Sequence, residues 1–185
     1  MDITLETERL RLRPFIPADL EHLQVLDNDP EVMRFLAPIS PEELRRDYLE
    51  GPYPDDHVAG IDRASGEFLG WFGIHPAREG HLDNPPGDLW LGYRLMPAAW
   101  GRGLATEGSK ALIEKAFTAL GASRVRATTM AVNIRSRRVM ERSGLTYAGT
   151  YHLEWADPLP GTERGEVLYE VTRDGWERRR RTVGS

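Results

Sequence analysis

The stretch Trp100-Gly101-Arg102-Gly103-Leu104-Ala105-Thr106-Glu107-Gly108 decides how the chain folds. It follows a run, Asp88–Leu95, that reads as a strand. It precedes Thr106–Leu120, where Leu112, Ala116 and Leu120 share one helical face. Between them, residues 97–103 read as a Gly-containing turn. A helix start offers backbone N–H groups without intrahelical acceptors, together with the positive end of the helix dipole. Small residues let an anion approach those groups closely, and Arg102 adds charge. The same residues also suit a plain, tightly packed strand-to-helix turn. Two other glycine-rich readings fail. A dinucleotide fingerprint needs glycine where Thr106 stands, and a P-loop needs a Gly-Lys-Ser/Thr that is absent.

Downstream, Arg124–Val132 is predicted as a strand and Ile134–Ser143 as a helix capped by Asn133 and stopped by Gly144. Asn133 and Ser136 then project from neighbouring positions at the helix start, with Val139 and Met140 toward the core. A strand over 147–154, a Pro/Gly loop over 156–165, a strand over 166–171 and a charged helix over 173–181 follow. Residues 178–185 are expected to be a flexible Arg-rich tail. Upstream, 8–15 alternates Leu10 and Leu12 against arginines, as a half-buried strand does. Pro17 opens a helix over 18–27, and Asp29 caps a short one reaching about Leu36. Ser40-Pro41-Glu42-Glu43 is a capping box for a helix to about Leu49. Residues 57–61 and 67–75 form a hairpin around 63–66, and 76–87 is a loop. This order implies one domain, residues 1–185 with a core of about 5–177, built on a mixed sheet with helices on its faces.

The composition narrows the chemistry. The 185 residues carry 24 Lys+Arg against 29 Asp+Glu, a net charge of −5. That disfavours a general nucleic-acid binder and suits a cationic substrate such as an amine. The chain has no cysteine, so thiol nucleophiles, disulfides and Cys-ligated zinc are excluded, and no metal site is expected. Glu6, Glu8, Arg9, Arg11 and Arg13 interrupt any apolar leader. No run approaches the roughly 18 apolar residues of a membrane span. A cytoplasmic enzyme or binding protein is expected, with no membrane or nucleic-acid partner.

The pair WGRGLATEG and NIRSRRVMERSGL resembles the two cofactor motifs of the GCN5-related N-acetyltransferases, the GNAT family. The segments TERLRLRPFIPADLEHL and LWLGYRLMP resemble its RimJ/RimL branch, which acetylates protein N-termini. The resemblance spans about residues 5–177. It implies an α/β (α+β) GNAT fold, with a mixed, mostly antiparallel central sheet splayed between the strands at 88–95 and 124–132 and flanked by helices. The first of these strands typically carries a bulge in this family. The resemblance also implies acetyl-CoA as cofactor, without a metal. The family pattern Gln/Arg-x-x-Gly-x-Gly/Ala maps onto Trp100, Gly103 and Ala105, with Trp100 departing from it. By resemblance, the amides of Gly101, Arg102, Gly103, Leu104, Ala105 and Thr106 hold the pyrophosphate, and Leu95 and Met96 pair with the pantetheine arm. Asn133 contacts that arm, Ser136 lies near the sulfur, and Arg138 belongs to the arginines beside the polyphosphate.

The implied reaction is direct attack of an amine on the thioester. It needs a neutral amine, a backbone N–H for the carbonyl oxygen (from Leu95 or Met96), and a donor to the leaving thiolate. Many members use a tyrosine where Met140 stands; the resemblance to the RimJ/RimL branch implies Ser136 as the donor instead. Related enzymes often carry a base where Trp90 stands, which leaves Asp88, Glu154, His152, His75 or ordered water. Strand alternation would put His152, Glu154 and Thr150 on one face. Trp90 and Tyr93 are expected to be part core and part cleft wall. Trp71 and Trp155 are expected to line the acceptor side, and Asp55, Asp56 and Asp83 to attract a cationic amine or to be solvated. The acceptor is a primary amine: a peptide, ribosomal or other protein N-terminus, a polyamine or an aminoglycoside-like molecule. The alternative is a non-catalytic acyl-CoA-binding or regulatory module on the same fold. A monomer and a homodimer are both compatible with the sequence.

Overall fold

The computed structural model describes residues 4–36, 40, 42, 46, 56–77, 85–154 and 157–183. Most of the capping-box segment at 40–49, most of the 76–87 loop, and Asp55, Asp83 and Trp155 lie outside the described residues. Eight strands form one mixed sheet in the order β1-β2-β3-β4-β5-β6-β8-β7. They are β1 (Leu5–Glu6), β2 (Leu10–Arg13), β3 (His57–Asp62), β4 (Phe68–Pro76), β5 (Asp88–Leu95), β6 (Arg124–Met130), β7 (Thr146–Tyr151) and β8 (Glu166–Thr172). Four helices accompany them among the described residues: α1 (Asp19–Asn28), α2 (Leu104–Thr118), α3 (Ile134–Arg142) and α4 (Arg173–Val183). The chain divides into two compact units, Met1–Ile74 with Gly92–Ala111, and His75–Leu91 with Leu112–Ser185. The divisions fall inside β4, β5 and α2 rather than in a linker.

In the first unit the N-terminal alternation becomes β2, whose Leu10 and Leu12 are fully buried. β1 precedes it and pairs antiparallel, Leu5 opposite Leu12. At two residues, β1 is too short to show a sequence period. The β3–β4 turn is built as expected. Asp62 Oδ1 accepts the N–H groups of Ala64 (2.9 Å) and Ser65 (3.2 Å), and Gly66 supplies a φ of +78°. The β3–β4 register shifts between Gly60 and Ile61. α1 begins at Asp19, after Pro17. The Asp19 carboxylate accepts Ile16 N–H (2.8 Å) and both arms of the Arg13 guanidinium (2.7 and 2.9 Å). Leu23 and Leu26 of α1 join Val32 and Trp71 in a buried cluster, with Phe15, Leu20, Phe68, Met96 and Trp100 packed against it. Asp29 does cap, accepting from Glu31 (2.8 Å) and Val32 (3.2 Å), but the chain beyond it makes only a 3-10 turn at Met33–Phe35.

α2 is seated in this unit by two contacts. The Phe72 ring of β4 is fully buried between Gly60 and Gly108; a Cβ built there would lie 2.8 Å from Phe72 Cε2 and 2.6 Å from Phe72 Cζ, respectively. Glu107, in the first turn of α2, accepts from Thr7 Oγ1 (2.6 Å), Arg9 N–H (2.8 Å) and Arg9 Nε (2.7 Å). Burial opposes ionisation of Glu107, but these donors outweigh it and hold the carboxyl below its usual value.

In the second unit the start of β5 pairs parallel with β6: Asp88 lies opposite Arg124, Leu89 opposite Val125 and Trp90 opposite Arg126. β6 and β7 each pair antiparallel with β8. The core of this unit includes Val125, Ala127, Val167, Tyr169 and Val171. α3 ends as predicted. Gly144, at φ +97°, lets its own N–H reach Glu141 C=O (3.0 Å) and Leu145 N–H reach Met140 C=O (3.0 Å). α4 corrects the expected flexible tail, because the helix continues to Val183. Arg179 donates to Gly144 C=O, while Arg180 pairs with Glu114 (3.3 Å) and lies over Trp176 (4.8 Å). Those contacts give the arginine run something to hold. β7 ends at Tyr151, so His152 and Glu154 fall outside the strand and the expected shared face with Thr150 does not form.

Glu107→Gln is expected to cost about 1 kcal/mol near neutral pH. The folded carboxyl titrates below the unfolded one, so its stabilisation is present above about pH 4 and fades as pH falls through the folded value. Urea melts of both proteins from pH 3 to 8 should show the difference closing toward the acid end.

Candidate active site

The turn before α2 is shaped by its glycines. A 3-10 turn at Pro97–Ala99 leads out of β5. Gly101 and Gly103 then take φ values of +73° and +79°, which L residues rarely adopt. A Cβ at Gly101 would meet nothing within 4 Å, and one at Gly103 only Arg9 Nη2 at 3.6 Å. The turn is therefore open as well as left-handed. α2 begins at Leu104, two residues earlier than expected. Glu107 N–H bonds Gly103 C=O (3.0 Å), so the amides of Leu104, Ala105 and Thr106 precede the first intrahelical bond. Leu104 buries its side chain completely and so contributes only backbone. Arg102 is exposed; its carbonyl accepts from Arg9 Nη1 (2.8 Å) and its guanidinium lies 3.4 Å from Asp62. Hydrogen bonds from the Ala64 and Ser65 amides, with help from Arg102, hold the Asp62 carboxyl below its usual value. An open helix start with two left-handed glycines and a nearby arginine fits a pyrophosphate.

Three residues expected at the cofactor have structural occupations. Trp100 donates its indole N–H to Leu95 C=O (2.8 Å) and packs on the Leu23–Leu26–Trp71 cluster. Leu95 is buried. Met96 N–H is bonded to Leu69 C=O (2.9 Å), so of the two amides proposed for the thioester oxygen, that of Met96 is already used by the sheet.

In the second unit Asn133 is the cap of α3. Its Oδ1 accepts Ser136 N–H (3.2 Å) and its Nδ2 donates to Thr129 Oγ1 (3.1 Å). Asn133 and Ser136 are thus brought together as the spacing predicted, both half-buried. Arg138 is exposed. Arg137 turns inward, donating to Tyr169 Oη (3.2 Å) and Ala131 C=O (3.1 Å). Met140 is buried, but Val139 only half so.

The base candidates separate sharply. Asp88 is 4% exposed, and its carboxylate meets Arg124 Nη2 (2.8 Å) and Arg126 Nε (3.2 Å), with Glu170 sharing both arginines at 3.1 and 3.5 Å. It is neither solvated nor available. His75 is buried, with Nδ1 2.7 Å from Pro76 C=O. His152 and Glu154 are exposed, with His152 Nε2 beside Gly165. Asp56 is buried with His57, Oδ1 to Nδ1 2.6 Å, and so is not a solvated surface acid. Trp71 and Trp90 are buried, and Tyr93 is half-buried.

Sequence reading missed two charged groups. Arg94 ion-pairs with Asp27 and lies over the Trp71 ring (5.3 Å). Burial raises the Asp27 carboxyl, and Arg94 offsets this only in part. Glu166 is 8% exposed, and burial raises its carboxyl too. The only signal for it was an acid opening an apolar strand directly after a glycine.

Residues 9–146 match the family model of the acetyltransferase (GNAT) domain. The chain is 36% identical over 186 residues to the FsC-acetyl coenzyme A-N(2)-transacetylase of Aspergillus fumigatus, covering 95% of this chain and 78% of that protein. The acetyltransferase of Bacillus anthracis has the same fold at 20% identity, with a TM-score of 0.77 and coverage of 93% and 99% of the two chains. The aminoglycoside acetyltransferase AAC(6')-Ib, solved with coenzyme A and kanamycin, matches with a TM-score of 0.74 at 22% identity, over 92% and 99%. The chain therefore belongs to the GNAT family of acetyltransferases, enzymes that take their acetyl group from acetyl-CoA.

Ala105→Glu puts bulk and negative charge at the start of α2 without touching a left-handed position. It should abolish thermal stabilisation by coenzyme A while shifting the ligand-free melting temperature little; Gly103→Glu should do the same with an added backbone penalty of about 1 kcal/mol. Asp88→Asn should act on stability instead. Arg124 and the buried Arg126 keep Glu170, so losing one of two carboxylates should cost about 1.5 kcal/mol, and the pH profile of any remaining turnover should keep its wild-type limbs.

Proposed function

We propose that the chain transfers an acetyl group directly from acetyl-CoA to a primary amine, on a small molecule or at a peptide or protein N-terminus, as a single N-acetyltransferase domain. The observation that carries this reading is the open, left-handed Gly101–Gly103 turn leading into the first amides of α2, in a chain of a family that uses acetyl-CoA. The A. fumigatus relative, named for acetylation at N(2), supports a nitrogen acceptor. The segments TERLRLRPFIPADLEHL and LWLGYRLMP support the RimJ/RimL-like branch, and with it a protein N-terminus as acceptor.

In this reading the amides of Gly101, Arg102, Gly103, Leu104, Ala105 and Thr106 hold the pyrophosphate, with Arg102 and Arg138 adding positive charge. The pantetheine arm takes Leu95 and Asn133. With Met96 N–H bonded to Leu69, the Leu95 amide is the donor proposed for the thioester oxygen. Bound acetyl-CoA supplies the activated acyl group; the chain orients it and handles protons. A chain without cysteine has no acetyl-cysteine route, which supports direct transfer. Ser136 stands in the first turn of α3, half-buried, and its hydroxyl is proposed to hydrogen-bond the leaving sulfur.

The test follows free thiol release from acetyl-CoA against a panel of amines and N-terminal peptides. Ser136→Ala should keep thermal stabilisation by coenzyme A and lose about tenfold in turnover, the worth of one hydrogen bond to a charged group. Turnover within twofold of wild type would leave Ser136 as a helix-start residue only.

A further inference from the structure

We propose that Glu166 is the proton acceptor for the incoming amine, set in a polar cluster with Tyr151 and Thr128 at the end of the β6–β8–β7 ladder. This rests on the amine-acetylation reading.

The cluster lies wholly within the second unit. Glu166 is the first residue of β8, and its cross-strand partners are Met130, the last residue of β6, and Tyr151, the last of β7. Directly opposed residues share a face of the sheet. Tyr151 is itself half-buried and hydrogen-bonds Thr128. The preceding turn is pressed onto these strand ends by two left-handed glycines. A Cβ at Gly161 would lie 2.6 Å from Val132 Cγ2, and one at Gly165 would lie 2.6 Å from Tyr151 C=O. Ala131 N–H donates to Gly165 C=O (2.9 Å). Glu166 therefore sits where β6 leaves the sheet for Asn133 and Ser136.

What sets Glu166 apart is its lack of compensation. Asp88, Glu170, Asp27 and Asp19 each meet an arginine. Glu166 is more buried than Glu170 and nearly as buried as Asp27, yet has no hydrogen-bond or ion-pair partner among the described residues. The titratable groups around it are Tyr151 from β7, His152 by the turn, and Glu170 further along its own face of β8; β6 opposes it with the uncharged Met130. A buried carboxyl without a partner destabilises the fold. Packing alone would favour an uncharged residue, so the carboxyl points to chemistry. Desolvation also makes it a stronger base, moving it toward the neutral range where a general base works best.

The proton balance is simple. The acceptor's ammonium gives one proton to the Glu166 carboxylate, which frees the nitrogen lone pair. The nitrogen forms the N–C bond at the thioester carbonyl. The C–S bond then breaks, and the second nitrogen proton leaves to the thiolate, giving the amide and the free thiol of coenzyme A. Glu166 returns its proton to water.

The experiment compares wild type, Glu166→Gln and Glu166→Asp. Three measurements are made on each: kcat/KM against pH with the best amine of the panel, stabilisation by coenzyme A, and ligand-free melting from pH 4 to 8. Glu166→Gln should lose about 10²-fold in kcat/KM and the acidic limb of the profile. It should keep coenzyme A stabilisation and melt higher than wild type. Because the folded carboxyl titrates above the unfolded one, that gain should be absent at pH 4 and grow as pH rises. Glu166→Asp, which keeps a carboxylate, should fall between the two in rate. A Glu166→Gln rate within threefold of wild type overturns the assignment while leaving acetyl transfer intact. So does a loss of rate that comes with lower melting or lost coenzyme A stabilisation. If wild type binds coenzyme A but turns over no amine, the acetyl-transfer reading itself fails, and the base with it.

Discussion

The Phe72 ring, closed in between Gly60 of β3 and Gly108 of α2, is the constraint on which the glycine turn before α2 depends. Both glycines stand closer to the ring than any Cβ could, so α2 approaches β4 by a margin that only a hydrogen at Gly108 allows. That approach explains why α2 starts so soon after β5. With the helix held against the strand, little chain is needed to join them, and two left-handed glycines make the reversal. The glycines of WGRGLATEG therefore serve two ends. Gly101 and Gly103 provide conformation, and Gly108 provides clearance. Glu107, between them in role, ties the same helix start to the N-terminal strand pair through Thr7 and Arg9.

The handling of buried charge shows where the fold places its chemistry. Asp88, Arg124, Arg126 and Glu170 form one network across β5, β6 and β8. Asp19 has Arg13, and Asp27 has Arg94. A carboxylate enclosed by guanidinium groups is committed to them and out of a substrate's reach. That removes Asp88 on physical grounds, although its place on β5 beside Trp90 made it attractive. A carboxyl that is desolvated and unpaired has the opposite property.

Local rules explain what could be read in advance. The limits of β5, the cap of α3 by Asn133, its stop at Gly144 and the Asp62 turn all follow from interactions within a few residues of chain. So does the glycine turn, because positive φ and glycine go together. The features that escaped are made by distant partners. β1 exists only because Leu5 and Glu6 find Leu12 and Arg11. The Asp88 ion pairs need β6, and the Arg94–Asp27 pair joins β5 to α1. β7 stops at Tyr151, although the alternating pattern continues to Glu154, because β8 begins at Glu166 and offers nothing further to pair with.

Trp100 departs from the family pattern and serves the fold of the turn instead. A polar residue at that position could reach toward a ligand; the indole turns inward, bonds Leu95 C=O and packs beneath the turn. Leu104 is likewise buried, and the Arg102 carbonyl is held by Arg9. At this turn, then, side chains are used to fix the backbone, and the backbone amides are what remains open. A phosphate held by amides is indifferent to side-chain identity as long as φ and size are kept. On this logic tryptophan can occupy the first position of the turn, because its indole is used inside the fold. Specificity for the acceptor has to come from elsewhere in the chain, from side chains whose chemistry, unlike an amide's, depends on which residue is present.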